Sequence, residues 1–189
     1  MSTLLEPEPR PIRVEEYHRM IEVGILGEEG KVELIEGVIV SASPQSRKHA
    51  FVIQRLVALL SRVLDEGRYA ILPQLPLTLG DRNEPEPDVA VVPAEDARSP
   101  TEHPSRALLV VEVSGDSLLK DRRFKTSIYA RFGVSEYWIV NLQDETIEVH
   151  RDSDPTKARY RSVLTFVRSQ ELQSAAVPEI RLVENRLFA

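Results

Sequence analysis

The sequence contains no cysteine, and this absence removes several kinds of chemistry at once. Disulfide bonds, zinc sites with thiolate ligands and cysteine nucleophiles are all excluded. A chain without cysteine fits the cytoplasm, where we expect the protein to function. The segment MSTLLEPEPRP lacks a basic start and a long apolar core, so we expect no secretory signal. No apolar run is long enough to span a bilayer, and we expect no membrane partner.

Aromatic residues are also few, and acidic residues outnumber basic ones. The 189 residues include one tryptophan, and the formal net charge is -6. This charge disfavours nucleic-acid binding through bulk electrostatics. Basic residues are nevertheless concentrated in residues 116–131 and 150–168, each with five Lys or Arg against two Asp. A local basic surface therefore stays possible, and solvated helix or strand faces explain each segment equally well.

The hydrophobic pattern predicts a single domain of mixed helices and strands. We expect a loose arm rich in Pro and Glu over residues 1–12 and one domain over residues 13–189. Apolar residues at helical spacing predict helices within 13–26, 46–67 and 118–133. The inner stripe of the second helix is expected to consist of Val52, Ile53, Leu56, Leu60 and Val63. Short apolar runs predict a hairpin within 31–43, with its two strands around Glu36-Gly37. Further runs predict strands within 69–79, 85–93, 107–114, 136–142, 146–152, 158–167 and the C-terminal segment. The apolar strand in 107–114 must be covered on both faces, which favours a mixed sheet flanked by helices.

Glu112 interrupts the apolar run LLVVEVSGD, residues 108–116. An isolated buried carboxylate is costly, so this residue needs a partner. In the next predicted helix, Lys125 lies on the apolar stripe that contains Ile128 and Tyr129, and it should therefore face the sheet. A lysine there either extends its ammonium group to water or pairs with a buried anion. With Glu112 on the preceding strand, we favour the pair.

Asp88 supplies a second carboxylate at the end of a predicted strand. It precedes the apolar run 89–92, and it either fixes a loop end or lies beside Glu112. Two adjacent carboxylates repel each other and raise one pKa, a conflict that a divalent cation removes. Oxygen ligands without cysteine favour Mg²⁺ or Mn²⁺ over zinc. Two acids, a lysine and such a metal would suffice to hydrolyse a phosphodiester bond.

These residues lie in segments that resemble the Uma family of proposed endonucleases, which belongs to the PD-(D/E)xK restriction-endonuclease-like superfamily. The matching segments are PDV (87–89), VVEVSGDS (110–117), Lys125 with YARFGVSEYWIVN (129–141), and VELIEGVIVSASPQSRKH (32–49). The resemblance extends from about residue 13 to the C-terminus. It implies an α/β (α+β) fold with a restriction-endonuclease-like core: a mixed central sheet flanked by helices, with an N-terminal helix and hairpin.

The resemblance also implies roles for individual residues. Asp88 and Glu112 would bind Mg²⁺ or Mn²⁺, helped by the backbone carbonyl of Val113. The superfamily pattern places a lysine two residues after the glutamate, where this sequence has Ser114. In the Uma family the lysine lies on the following helix, and Lys125 matches that position.

Glu33 and His49 are further candidates in the N-terminal matching segment. Strand alternation places Glu33 on the same face as Ile35, which favours an inward orientation, and a solvated hairpin acid is the alternative. His49 lies three residues before Val52 on the inner stripe of its helix, where it could contact substrate or act as an acid or base. A structural histidine at the start of the helix is the competing interpretation.

The leading hypothesis is a metal-dependent endonuclease that hydrolyses phosphodiester bonds, with DNA as the expected substrate. A nuclease for RNA or for structured nucleic acid is an alternative, because no base-reading motif is evident. A non-catalytic nucleic-acid-binding or regulatory module with the same fold is another. We also expect a homo-oligomer, such as a dimer, because a duplex has two strands to cut.

Overall fold

The structure is a computed structural model that describes residues 9–26, 31–41, 45–115, 118–183 and 185–188. Most of the predicted arm lies outside these ranges. The described helices are α1 (Val14–Glu22), α2 (Arg47–Val63), α3 (Leu118–Lys120), α4 (Thr126–Arg131) and α5 (Asn185–Phe188). A π-helical turn (Asp121–Lys125) joins α3 to α4. None of the helices in these ranges combines the length and the apolar character that crossing a membrane requires.

Ten described strands form three sheets. A hairpin consists of β1 (Val32–Ile35) and β2 (Val38–Ser41), and a second pair consists of β9 (Glu171–Gln173) and β10 (Arg181–Val183). The strands of the central sheet are β3 (Tyr69–Pro73), β4 (Val89–Pro93), β5 (Leu109–Ser114), β6 (Glu136–Asn141), β7 (Thr146–Asp154) and β8 (Arg159–Phe166). They lie in the order β3-β4-β5-β6-β7-β8. Among the described strands of this sheet, only the β5–β6 pair is parallel, and this confirms the predicted mixed sheet.

Both faces of the central sheet are covered, as the apolar β5 strand requires. Successive side chains of a strand point to opposite faces. Val111 and Trp138 pack with α2, β9, β10 and α5 in what we call the α2-side core. Val110 and Tyr137 pack with α4 in what we call the α4-side core. Glu112 has the same parity as Val110, so its side chain points to the α4 side.

The β1–β2 hairpin turns at the two residues that the sequence predicts. Ile35 pairs with Val38, which leaves Glu36 and Gly37 as the two loop residues. Both have positive φ, 52° and 77°, as a type I′ hairpin turn requires. A Cβ on Gly37 would lie 2.5 Å from the Pro11 Cβ, so a side chain is excluded here by contact as well as by backbone conformation. The hairpin is thereby seated against the chain that precedes α1.

Several predicted details of the helices are wrong. Ile21, which has helical spacing with Val14 and Tyr17, is 46% exposed, because α1 covers only the small hairpin through Val14 and Tyr17. Val63, placed on the inner stripe of α2, is 43% exposed, because it is the last residue of the helix. The predicted helix over 118–133 is interrupted by the π-helical turn.

Candidate active site

Lys125 and Glu112 form a buried ion pair between the π-helical turn and β5. Lys125 Nζ lies 2.8 Å from Glu112 Oε1, and both residues are 5% exposed. The ammonium group therefore does not extend to bulk water, and the pair favoured by the sequence is present. Glu112 is the single acid in a strand whose other residues are apolar apart from Ser114 at its end.

Glu33 brings a second carboxylate to the same ammonium group. Its Oε1 accepts a hydrogen bond from Lys125 Nζ at 3.1 Å, and the residue is 5% exposed. The hairpin holds it there because Leu34 is bridged to Glu84, whose backbone N–H donates to the Leu34 carbonyl at 2.8 Å. The inward orientation expected from strand alternation is the one observed.

Tyr129 contacts the site through its hydroxyl group, a contact that the sequence did not suggest. Tyr129 OH donates to Glu112 Oε1 at 2.8 Å, and the ring centroid lies 4.9 Å from that of Tyr137. On the sequence, Tyr129 counted only as an apolar residue of the helix stripe. Its position four residues after Lys125 was the available signal, because residues at that spacing share one helix face.

Asp88 connects the beginning of β4, the end of β5 and the first turn of α2. Its Oδ2 accepts hydrogen bonds from the backbone N–H of Val113 at 2.7 Å and from His49 Nε2 at 3.0 Å. His49 is thus brought to Asp88, and its Nδ1 is buried without a hydrogen-bond partner among the described residues. The structure therefore places Asp88, Glu112, Val113, Lys125, Glu33 and His49 in one connected region.

Ser114 occupies the position where the superfamily pattern has a lysine. Its Oγ donates to Asp121 Oδ2 at 2.6 Å, and both residues are buried. Asp121 begins the π-helical turn, and the Thr126 hydroxyl donates to the Asp121 carbonyl at 3.0 Å. The Ser114–Asp121 hydrogen bond attaches the π-helical turn to the end of β5, next to Glu112.

The site contains four buried acidic residues and one buried lysine. Glu112 interacts with Lys125 and with three other buried acids, Asp121, Asp88 and Glu33. Burial raises the pKa of Glu112, and Lys125 opposes this shift. Burial alone would lower the pKa of Lys125, but its acidic neighbours, Glu112 first among them, raise it overall. Lys125 therefore stays an ammonium ion. The neighbouring acids add to the upward pKa shift of Glu112, and a bound cation would oppose that shift by favouring the carboxylate form.

The oxygen atoms that could hold a metal ion are those of Asp88, Glu112 and the Val113 carbonyl. Within the described part of the chain, the side-chain hydrogen bonds of Asp88 and Glu112 fall on one oxygen each, Oδ2 and Oε1. Each acid thus keeps one oxygen that accepts no hydrogen bond from a described residue. No three His, Asp or Glu residues in the described ranges form a group that could hold a metal. The available set fits Mg²⁺ or Mn²⁺, which are bound through one or two carboxylates and retain several water ligands.

Comparisons with known proteins agree with this fold. A sequence model of the family Uma2, described as "Putative restriction endonuclease", matches residues 14–184. Among solved structures, a "putative nuclease belonging to DUF820" from Anabaena variabilis is similar, with a TM-score of 0.72 and 18% sequence identity. The alignment covers 94% of this chain and 98% of that chain, and it confirms the predicted α+β fold. A search of curated proteins gives no match. The family description supports a nuclease.

Proposed function

We propose that this chain, which belongs to the Uma2 family ("Putative restriction endonuclease"), is a metal-dependent endonuclease that hydrolyses phosphodiester bonds in DNA. The observation that carries the proposal is the buried Lys125–Glu112 pair, which lies beside Asp88 at the end of β5. An ion pair with a purely structural role would need no acid besides the one that forms the pair. Here the buried lysine interacts with three buried acids, Glu112, Glu33 and Asp121, and Glu112 interacts with a fourth, Asp88. This arrangement is suited to binding a cation and a phosphate. The solved neighbour described as a nuclease supports the same assignment.

Each residue would have a distinct role. Asp88, Glu112 and the Val113 carbonyl would hold Mg²⁺ or Mn²⁺, which when bound polarises a phosphate and lowers the pKa of a coordinated water. Lys125 would keep a positive charge beside Glu112, where it can stabilise negative charge that develops on the phosphate. Glu33 would fix the position of the Lys125 ammonium group from the hairpin side. His49 would orient Asp88 through its 3.0 Å contact with Oδ2.

The test is a cleavage assay on supercoiled plasmid DNA with Mg²⁺ or Mn²⁺ and with EDTA. Wild-type protein should nick or cut the plasmid with metal, and EDTA should abolish the reaction. Asp88→Asn, Glu112→Gln and Lys125→Met should each lower the rate by roughly 100-fold or more, because each removes charge from where the transition state forms.

Arg106→Gln is the matched control. Arg106 is exposed, pairs with exposed Glu95 and half-buried Asp96, and precedes β5, at the end of that strand opposite to Ser114. Loss of an exposed pair changes stability little, so its cleavage rate should equal that of wild type. Melting curves would show that the three site variants are folded. Cleavage that survives all three substitutions would refute the assignment, and nucleic-acid binding without any cleavage would favour the non-catalytic module instead.

A further inference from the structure

We infer that the exposed face of α2 binds a nucleic-acid strand and leads it into the candidate active site, with an unpaired base stacked on Phe51. This inference rests on the proposed function and adds to it a binding surface and a preference for single-stranded nucleic acid. The elements that carry it are the charge of α2, the exposure of Phe51 and the contacts of the first helical turn.

The charge of α2 is opposite to that of the chain. Its sequence RKHAFVIQRLVALLSRV contains four Lys or Arg and no Asp or Glu, whereas the whole chain has a formal net charge of -6. The apolar residues Val52, Ile53, Leu56 and Leu60 are buried against the sheet. The basic residues Arg47, Lys48, Arg55 and Arg62 all lie on the exposed face. This face is therefore complementary to a polyanion, although the net charge disfavours binding by the molecule as a whole.

An exposed aromatic ring lies between two of these arginines. Arg47, Phe51 and Arg55 follow one another at intervals of four residues, so they form one stripe of about 12 Å along the helix. Phe51 is 43% exposed, and the Arg55 guanidinium carbon lies 5.9 Å from its ring centroid. Alternation of basic and aromatic side chains is the arrangement that binds single strands, because the cations follow the phosphates while the ring stacks on a base. In a duplex the bases are already stacked and paired, so they are not available to this ring.

The first turn of α2 connects this stripe to the candidate active site. His49 Nε2 lies 3.0 Å from Asp88 Oδ2. Lys48 Nζ donates to the carbonyl of Leu142, the residue after β6, at 2.9 Å, and it also pairs with Glu145. The parallel strands β5 and β6 end together, with Ser114 beside Asn141, so α2 begins at the edge of the sheet where Glu112 lies. A strand that follows α2 toward its N-terminus arrives at the proposed metal ligands.

The test measures binding by fluorescence anisotropy in EDTA, so that cleavage plays no part. The probes are a labelled single-stranded oligonucleotide and a duplex of the same sequence, titrated at several salt concentrations. Wild type should bind the single strand more tightly than the duplex. Arg47→Gln/Arg55→Gln should reduce the slope of log affinity against log salt by about 1.4, from about 0.7 for each lost phosphate contact. Phe51→Ala should weaken single-strand binding by about tenfold and leave duplex binding unchanged.

The double variant Arg98→Gln/Arg159→Gln is the matched control, because it removes the same charge from exposed positions after β4 and at the start of β8. Its affinity should exceed that of Arg47→Gln/Arg55→Gln. Equal affinities of the two double variants, or a Phe51→Ala variant that binds single strands like wild type, would overturn the inference. The proposed function is judged separately: wild-type protein that binds with these properties but never cleaves with metal would refute only the nuclease.

Discussion

At the residue scale, the candidate site depends on an ion pair whose partners cannot be removed singly without cost. Lys125 and Glu112 are both 5% exposed, so removal of either leaves a charge in a poorly solvated place. Loss of one partner of a buried pair costs about 3–5 kcal/mol, whereas replacement of both by neutral side chains is often nearly neutral. The pair therefore contributes little to net stability, and in the proposed function it positions charge for the reaction.

We predict that Lys125→Met destabilises the fold more than the double variant Lys125→Met/Glu112→Gln does. The single variant leaves Glu112 and Glu33 facing each other without the ammonium group between them, and the double variant removes one of these carboxylates. Urea unfolding of wild type, both single variants and the double variant would measure the interaction energy. Additive changes in the free energy of unfolding would show that the two residues are not coupled.

The sequence indicates the contact of Lys125 with Glu112 but not that of Tyr129, and the reason is physical. A lysine on an apolar stripe is conspicuous because its charge must be compensated, and the preceding strand offered one acid. A tyrosine on the same stripe is ordinary, since its ring accounts for the burial. Only the packing of α4 on β5 shows that its hydroxyl group contacts Glu112. The hydrogen-bond partners of buried polar atoms in amphipathic side chains can therefore be identified only from the three-dimensional structure.

At the element scale, the hairpin was predictable and the π-helical turn was not. Glu36-Gly37 between two short alternating runs is a local signal, and it specifies the turn directly. The buried residues in and after the π-helical turn are Asp121, Lys125, Ile128 and Tyr129. They follow one another at the spacings of three and four residues that one face of an α-helix would also show. The hydrophobic pattern therefore cannot distinguish the two helical forms here. Lys125 is buried, as its helical spacing predicts, because the π-helical turn retains the burial pattern of an α-helix.

We predict that Gly37→Ala destabilises the protein more than Gly24→Ala does. Both glycines have positive φ, 77° and 74°, so alanine has the same backbone cost of roughly 1–2 kcal/mol at each position. A Cβ at Gly24 meets no atom within 4 Å, whereas at Gly37 it meets the Pro11 Cβ at 2.5 Å. Urea unfolding of both variants would isolate the cost of this clash. Equal destabilisation would mean that the segment before α1 moves aside freely.

At the scale of the whole molecule, the central sheet joins two cores that would otherwise be separate. The composition and the apolar β5 strand predicted coverage of both faces, but the strand order depends on contacts between distant parts of the chain. Glu136 of β6 extends this connection to the C-terminal segment. Its buried carboxylate accepts hydrogen bonds from Trp138 Nε1, Arg151 and Ser174 Oγ, and from the backbone N–H groups of two residues that follow Ser174. No pattern in the sequence indicates that this acid has so many partners.

Because β5 and β6 contribute side chains to both cores, we predict that the two cores unfold in one cooperative transition. The single tryptophan, Trp138, is fully buried in the α2-side core, so its fluorescence reports on that side alone. Far-UV circular dichroism reports on helices and strands of both sides. The two signals, followed through the same urea titration, should give coincident midpoints, which is the standard test of two-state unfolding. If the fluorescence midpoint came at a different urea concentration, the α2-side core would be an independent unit. Loss of α2 could then release His49 from Asp88 while the Lys125–Glu112 pair stayed intact.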